Sequence, residues 1–534
     1  MQSLRPWIRA LCVASCLVSS GNAADDPKGQ ADLDRALDAR LGAKNLSELS
    51  EVVALCRSAS SKGLDDDGEK LAKQILASSL YQRGEAVAEA VLGALRPDDR
   101  TKEMRRAAVV DLSEAAESDG DLPQAQLLIA RLELLPGGDP RRAKQALDEA
   151  LESKRADGPL KSKALTYRSV LHEKPADRLA DLDRAIAADP HDPQPMRLRA
   201  ALKLSQNEPD EAIADFDAAL KLDPNNAATH EARGLALATQ QKWDEARRSL
   251  TRATELAPQS TAAFLQRGRV ALLMGDHKAA AADAEAALKA VPDLPTALLL
   301  RGQAKHAAGD KTGARADIER VLKKFPDAED ALRTRAMMNV DEGRTDDAIT
   351  DLERLVESAE PDRGVMLQLA VLHNAKKNSQ RAIELTDKVL EQDKGTWQAL
   401  RIRADANLNL GRRGASIADY EAAVKLEPKD AGLLNNLAWV LATAPEAKLR
   451  NGKRAVELAA LACQLTEYKT PHILSTLAAA HAETGDFETA RRWSQKALDA
   501  AESDEEKTAL RKELESYRAS KPWRENAPGE PATE

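Results

Sequence analysis

The chain has 534 residues, of which 43% are apolar, 3% aromatic and 31% charged, with a net charge of −9. It is long enough for several domains or one long stack of helices, and its packing must rest on alanine rather than on rings. The acidic balance excludes nucleic acid as the default partner, because phosphate binding needs a cationic stripe.

Residues 1–23 read as a secretory signal. Arg5 and Arg9 form a positive start, Ala10 to Val18 a short apolar run, and Gly21-Asn22-Ala23 supplies small residues before an expected cleavage at Ala24. A secreted or periplasmic location follows. The alternative is a lipid anchor through Cys16, in Val13-Ala14-Ser15-Cys16. No later apolar run is long enough to span a bilayer, so the mature chain is expected to have no transmembrane segment. Cys56 and Cys463 remain, far apart in sequence, and are read as small apolar fillers rather than a disulfide or a zinc site.

Residues 24–122 are helical in pattern but irregular. Their acidic run Asp65-Asp66-Asp67 reads as a helix start, not a calcium loop. Residues 123–192 hold degenerate helix pairs, with Ala143, Leu147 and Ala150 on one face and a shortened unit at 165–190. Residues 193–430 then repeat every 34 positions. Pro190, Pro224, Pro258, Pro292, Pro326 and Pro428 mark the beat, with Glu360 and Lys394 in the silent slots. A period of this size means an array of similar supersecondary units, not a domain with one catalytic cleft. In the unit 227–260, helix A is expected over 228–239 and helix B over 244–257, with Pro258 ending helix B. A small residue lets the two helices approach at Ala200, Gly234, Gly268, Gly302, Ala336, Ala370 and Ala404, and a second small slot recurs from Ala212 to Ser416.

The period and these slots resemble the tetratricopeptide repeat (TPR) family, although the family's tryptophan slot is filled here by other residues, such as Met196 and His230. The resemblance implies an all-α fold, a right-handed superhelical solenoid of antiparallel helix pairs with seven regular units. Two variant units follow at 431–504, then a capping helix at 505–520 and a disordered tail at 521–534. Asn435 to Trp439 and the ending Lys521-Pro522-Trp523-Arg524 are similar to secreted bacterial members of the family.

Two slots change together. Arg199 with Asp215, Arg267 with Asp283, Arg301 with Asp317, Arg335 with Asp351 and Arg403 with Asp419 all lie 16 residues apart. In unit 363–396 both become leucine, Leu369 and Leu385, and at Leu437 and Leu458 the same happens. Arg233 with Ser249 is the mismatch, and Arg168 with Asp181 fits after a loop deletion. Joint switching is what a shared, partly buried contact requires, so these are read as structural ion pairs.

The resemblance also implies a peptide-binding surface on helix A. Its candidates are Arg197, Glu231, Leu265, Arg269, Leu299, Gln303, His306, Arg333, Met337, Arg401, Asp405, Asn409, Asn435 and Trp439. Trp439 is the expected anchor, since tryptophan is enriched at hot spots. The competing reading is that these residues only solvate or pack the inner face. The family's carboxylate clamp, lysine and asparagine at set slots, is absent. No HExxH, P-loop, strand-linked GxGxxG or GxSxG points to an enzyme, and nothing calls for a cofactor or metal. Only the irregular region could house an activity. The expected function is therefore a non-catalytic scaffold binding a protein or peptide in the cell envelope. The alternative is a structural or assembly factor with no dedicated groove.

Overall fold

The computed structural model describes residues 28–94, 98–357 and 362–525. The expected signal at 1–23 and the alternative anchor Cys16 lie outside the described residues. Every regular element among the described residues is helical, and the chain divides into two compact units, 1–274 and 275–534.

The first unit contains α1 (Gln30–Gly42), α2 (Leu46–Lys62), α3 (Asp66–Leu92), α4 (Asp99–Asp119), α5 (Pro123–Glu133), α6 (Pro140–Glu152), α7 (Gly158–Ser169), α8 (Pro175–Ala188), α9 (Pro193–Ser205), α10 (Pro209–Leu222), α11 (Ala227–Thr239), α12 (Trp243–Leu256) and α13 (Thr261–Leu273). The second contains α14 (His277–Ala290), α15 (Pro295–Ala307), α16 (Lys311–Lys324), α17 (Glu329–Asp341), α18 (Thr345–Val356), α19 (Arg363–Ala375), α20 (Ser379–Gln392), α21 (Trp397–Asn409), α22 (Arg413–Leu426), α23 (Ala431–Thr443), α24 (Gly452–Leu465), α25 (Pro471–Glu483), α26 (Phe487–Ala500) and α27 (Asp504–Arg518).

Local chemistry sets these bounds. Proline opens α5 to α10, α15 and α25 at or next to the first helical position, where its missing N–H costs nothing. Pro258 stands one residue past the cap of α12 and holds Ala257 extended, at φ −131° and ψ 73°. The helix pair expected at 228–239 and 244–257 is observed within one residue of those bounds. The small-residue slot works by contact: a β-carbon built on Gly234 would meet Leu250 Cγ at 2.6 Å, and one on Gly302 would meet Ile318 Cδ1 at 2.9 Å.

The turn between helix A and helix B carries a slot that the sequence reading passed over. Asn207, Gln241, Gly275, Gly309, Gly343, Lys377 and Gly411 fall 34 residues apart and all have positive φ, from 58° to 88°. Non-glycine residues hold this left-handed conformation at a cost of roughly 1–2 kcal/mol. Lys377→Gly is therefore expected to raise stability, by about 0.5–1 kcal/mol once glycine's extra chain entropy is deducted. A urea midpoint at or below that of the parent would refute the strain at this turn.

The region 24–122 is more regular in structure than in sequence. Its helices are longer, 27 residues in α3 and 21 in α4, so the 34-residue beat does not reach it. Yet Arg83 on α3 forks onto Asp111 of α4, with Nε–Oδ2 and Nη2–Oδ1 both 2.7 Å. Asp65 caps α3 by accepting from the backbone N–H of Gly68, as the acidic run predicts. Cys56 in this unit and Cys463 in the other are buried thiols, and burial pushes each up to about 11.

In the second unit one continuous core runs from Leu298 to Tyr517. The last helix belongs to it, since Leu510 and Tyr517 are both buried there. The tail expected to be disordered from 521 is ordered as far as 525. Trp523 packs against the core, Arg524 pairs with Glu483 and donates to the Ala442 carbonyl, and the Glu525 N–H donates to the Thr443 carbonyl at 3.0 Å. An aromatic ring and a charge with a buried partner hold this strap. Residues 526–534 lie outside the described residues.

The paired slots form the contacts their joint switching implies. Arg199–Asp215, Arg301–Asp317, Arg335–Asp351, Arg403–Asp419 and Arg168–Asp181 are all two-pronged, at 2.6–3.0 Å. Burial works to raise the Asp317 carboxyl, but Arg301 and Lys305 outweigh it and hold it below the usual range. Arg267 and Asp283 fall in different units. A free guanidinium nitrogen reaches further, to the preceding helix B: Arg199 to Asp183, Arg403 to Asp387 and Arg168 to Asp148. Arg233 meets Asp217 in this way and Ser249 at 2.6 Å, which resolves the mismatch, because Asp217 supplies the charge. In unit 363–396, Leu369 and Leu385 are fully buried. Glu353, the acid 16 residues before Leu369, is taken by Arg381 at 2.7 Å and His373 at 2.9 Å, and these partners hold it below its ordinary value.

Candidate functional site

The helix-A candidates divide into those already partnered and those that meet in a cleft. Arg197 pairs with Asp223 at 3.1 Å, Arg333 with Asp362 at 3.7 Å, and Gln303 donates to Thr334 at 3.2 Å. His306 meets Asp341 at 2.9 Å, one repeat along, and Arg401 lies over the Trp397 ring at 5.9 Å. Glu231 is half-buried and its carboxyl is raised by burial. Arg269 and Met337 are exposed, and Leu265 and Leu299, half-buried, fall in different units. Most of this list thus sits apart as separate local contacts.

Asp405, Asn409, Asn435 and Trp439 come together. They line one cleft of about 450 Å³ in the second unit. Each helix contributes residues three or four apart, which places them on one stripe. α21 gives Asp405, Leu408 and Asn409, and α23 gives Asn435, Asn436, Trp439 and Val440. Tyr420 of α22 reaches in from the helix-B layer. The sequence reading missed the other wall: His472, Ser475 and Thr476 of α25, and Glu506, Ala509, Leu510 and Glu513 of α27. The last helix is therefore a wall of the cleft as well as a cap on the core. The spacing of Glu506, Leu510 and Glu513 was visible, but nothing local said that this stripe folds against α21.

The cleft is acidic and poorly solvated. Its lining holds three carboxyls and one histidine but no lysine or arginine. The Tyr420 hydroxyl donates to Asp405, and burial pushes the Asp405 carboxyl up, opposed by Tyr420 and by Arg401. Glu513 is 7% exposed and accepts from the Ser475 hydroxyl at 2.5 Å, yet burial pushes it up to about 7. Asn435 is 9% exposed; its amide donates to Asn436 at 3.3 Å, and its Oδ1 has no hydrogen-bond partner. Trp439, the expected anchor, is not free: its indole N–H donates to Glu525 of the strap at 2.5 Å.

Glu513 makes stability depend on pH. Its folded value is raised from 4.5 to about 7, so between those limits the folded state binds more protons than the unfolded state. Stability from this group is present below pH 4.5 and is lost as pH rises through about 7. Glu513→Gln should match the parent at pH 4 and exceed it at pH 8 by roughly 2–3 kcal/mol. Chemical unfolding at the two pH values measures this, and equal differences at both would show that the carboxyl is not buried neutral.

Among the described residues no group of three or more His, Cys, Asp or Glu is placed to hold a metal ion, and no helix is long and apolar enough to cross a membrane.

A tetratricopeptide repeat family model matches residues 172–227, 197–261, 231–295, 265–329, 299–363 and 333–396, and a second such model matches 402–430. No curated protein matches the chain. Similar solved structures include YrrB, described as a TPR protein with an unusual peptide-binding site, at 21% identity, covering 37% of this chain and 97% of that one with a TM-score of 0.31. A tetratricopeptide repeat protein from Parabacteroides merdae is 19% identical, with 49% and 99% covered and a TM-score of 0.35. The structure of the APC/C hetero-tetramer Cut9-Hcn1 is similar at 13% identity, with 83% and 98% covered and a TM-score of 0.39. At these scores the three say nothing of a ligand. The matched repeats, the helix pairs and the slots that join them make this chain a member of the tetratricopeptide repeat family, an all-α solenoid.

Proposed function

We propose that this chain is a non-catalytic scaffold that holds a protein or peptide segment against its helix-A side chains, in the cell envelope after cleavage before Ala24. The observation that carries this reading is the cleft of α21, α23, α25 and α27, where side chains from four helices converge and a buried acceptor is left unmatched. Buried polar groups are normally paired, so an orphan at a cleft wall marks a place where an incoming group completes the set. A photo-crosslinker at Asn409, in the cleft, should trap one discrete partner in intact cells, and one at Arg248, exposed on α12, should not. The same products from both positions, or none from Asn409, would count against it. Mass measurement of the chain from the envelope fraction tests the cleavage.

A second reading holds for the stretch α15 to α19. There the helix-A side chains satisfy one another, His306 with Asp341 and Gln303 with Thr334, which favours a spacer over a groove.

A further inference from the structure

We infer that the cleft recognises one basic side chain, a lysine or arginine, of the partner segment. This rests on the peptide-binding reading above and adds the chemistry of the residue that is read. Three independent features of the cleft support it.

The first is charge. Asp405 on α21 and Glu513 on α27 face a common space with no cationic residue in its lining, although elsewhere in the second unit buried acids are matched. Asp317 has Arg301 and Lys305, and Glu483 has Arg450 and Arg524. Burying a carboxyl without a partner is costly, and a cation with hydrogen-bond donors removes that cost through charge-assisted bonds. The second is the unpartnered Oδ1 of Asn435, an acceptor for an ammonium or guanidinium N–H. A carboxylate ligand would find only acceptors and acids here, so the cleft selects against the ligand of the family's clamp. The third is the apolar wall of Leu408, Leu510 and Trp439, suited to the methylene stem and to a cation at the indole face. The same unit builds such a contact internally, where Lys496 lies over the Trp493 ring at 5.2 Å. A volume of about 450 Å³ suits one long side chain and its backbone.

The test uses the full chain and a pool of capped decapeptides that differ only at one central position, carrying lysine, arginine, norleucine or glutamate. Binding is read by fluorescence anisotropy. Lysine or arginine peptides should bind at least tenfold more tightly than norleucine and glutamate peptides. The double variant Asp405→Asn, Glu513→Gln should erase that preference while keeping parental helicity. Asn435→Leu should weaken lysine peptides alone, and serves if the double variant fails to fold. Free cadaverine should bind at least tenfold more weakly than the lysine peptides; equal binding would overturn the peptide as the source of the cation. If all four peptides bind equally, or norleucine leads, the basic-residue assignment fails while the scaffold reading stands. If no peptide binds and the Asn409 crosslink is also empty, both fail.

Discussion

Arg403→Leu should destabilise the second unit by about 3–5 kcal/mol, because it strands Asp419, a carboxyl only 8% exposed. The fork from Arg403 to Asp419 is two-pronged, at 2.9 and 2.6 Å, and Asn407 adds only a long contact of 3.3 Å. Asp419→Leu alone leaves the guanidinium with Asp387, which is largely solvated, and should cost less. The double variant should recover most of the loss. The chain makes the same substitution itself at Leu369 with Leu385, both fully buried, and at Leu437 with Leu458. The measurement is a double-mutant cycle by native-state hydrogen exchange on α21 and α22, which reads the local opening that an array permits. A coupling below about 0.5 kcal/mol would mean that the two slots vary for unrelated reasons.

Removing the strap from Lys521 onward should lower the local stability of α23 and α25 by about 2–4 kcal/mol, scaled down from the loss of a fully buried tryptophan because Trp523 is only partly buried. Arg524 leaves Glu483 with Arg450 as its remaining partner, and Trp439 loses its acceptor. Amides of α23 and α25 should exchange roughly 30- to 1000-fold faster, at 1.4 kcal/mol per factor of ten, while those of α15 to α17 stay unchanged. Unchanged protection in α23 would show that the strap is a passenger.

The repeat made much of this legible. A position sampled seven times reveals its environment, so the turn proline, the close-packed glycine and the Arg–Asp fork could each be read from residues such as Pro258, Gly234 and Arg301. The acid that meets the guanidinium from the preceding helix also recurs, at Asp183, Asp217, Glu285, Glu319, Glu353, Asp387 and Glu421. It went unread because the comparison paired slots within a repeat and not across the join. The cleft was half legible. Asp405 and Trp439 follow from the repeat, but Glu513 and Glu525 belong to segments with no second copy to compare. Their contacts, Ser475 with Glu513 and Trp439 with Glu525, join residues 38 and 86 positions apart. Only the fold supplies those pairings.

The return of Glu525 to Trp439 also sets an order of assembly. Earlier repeats need only their neighbours and can stack as they emerge during synthesis, from the N-terminal side onward. The repeat that begins at Ala431 is different, since its tryptophan is completed by a residue made 86 positions later. Until then its indole N–H and the carbonyls of Ala442 and Thr443 await their partners. The closing step for this end of the molecule is thus the docking of five residues, and a nascent chain stalled before them would present an open α23 face to whatever chaperone or partner is near.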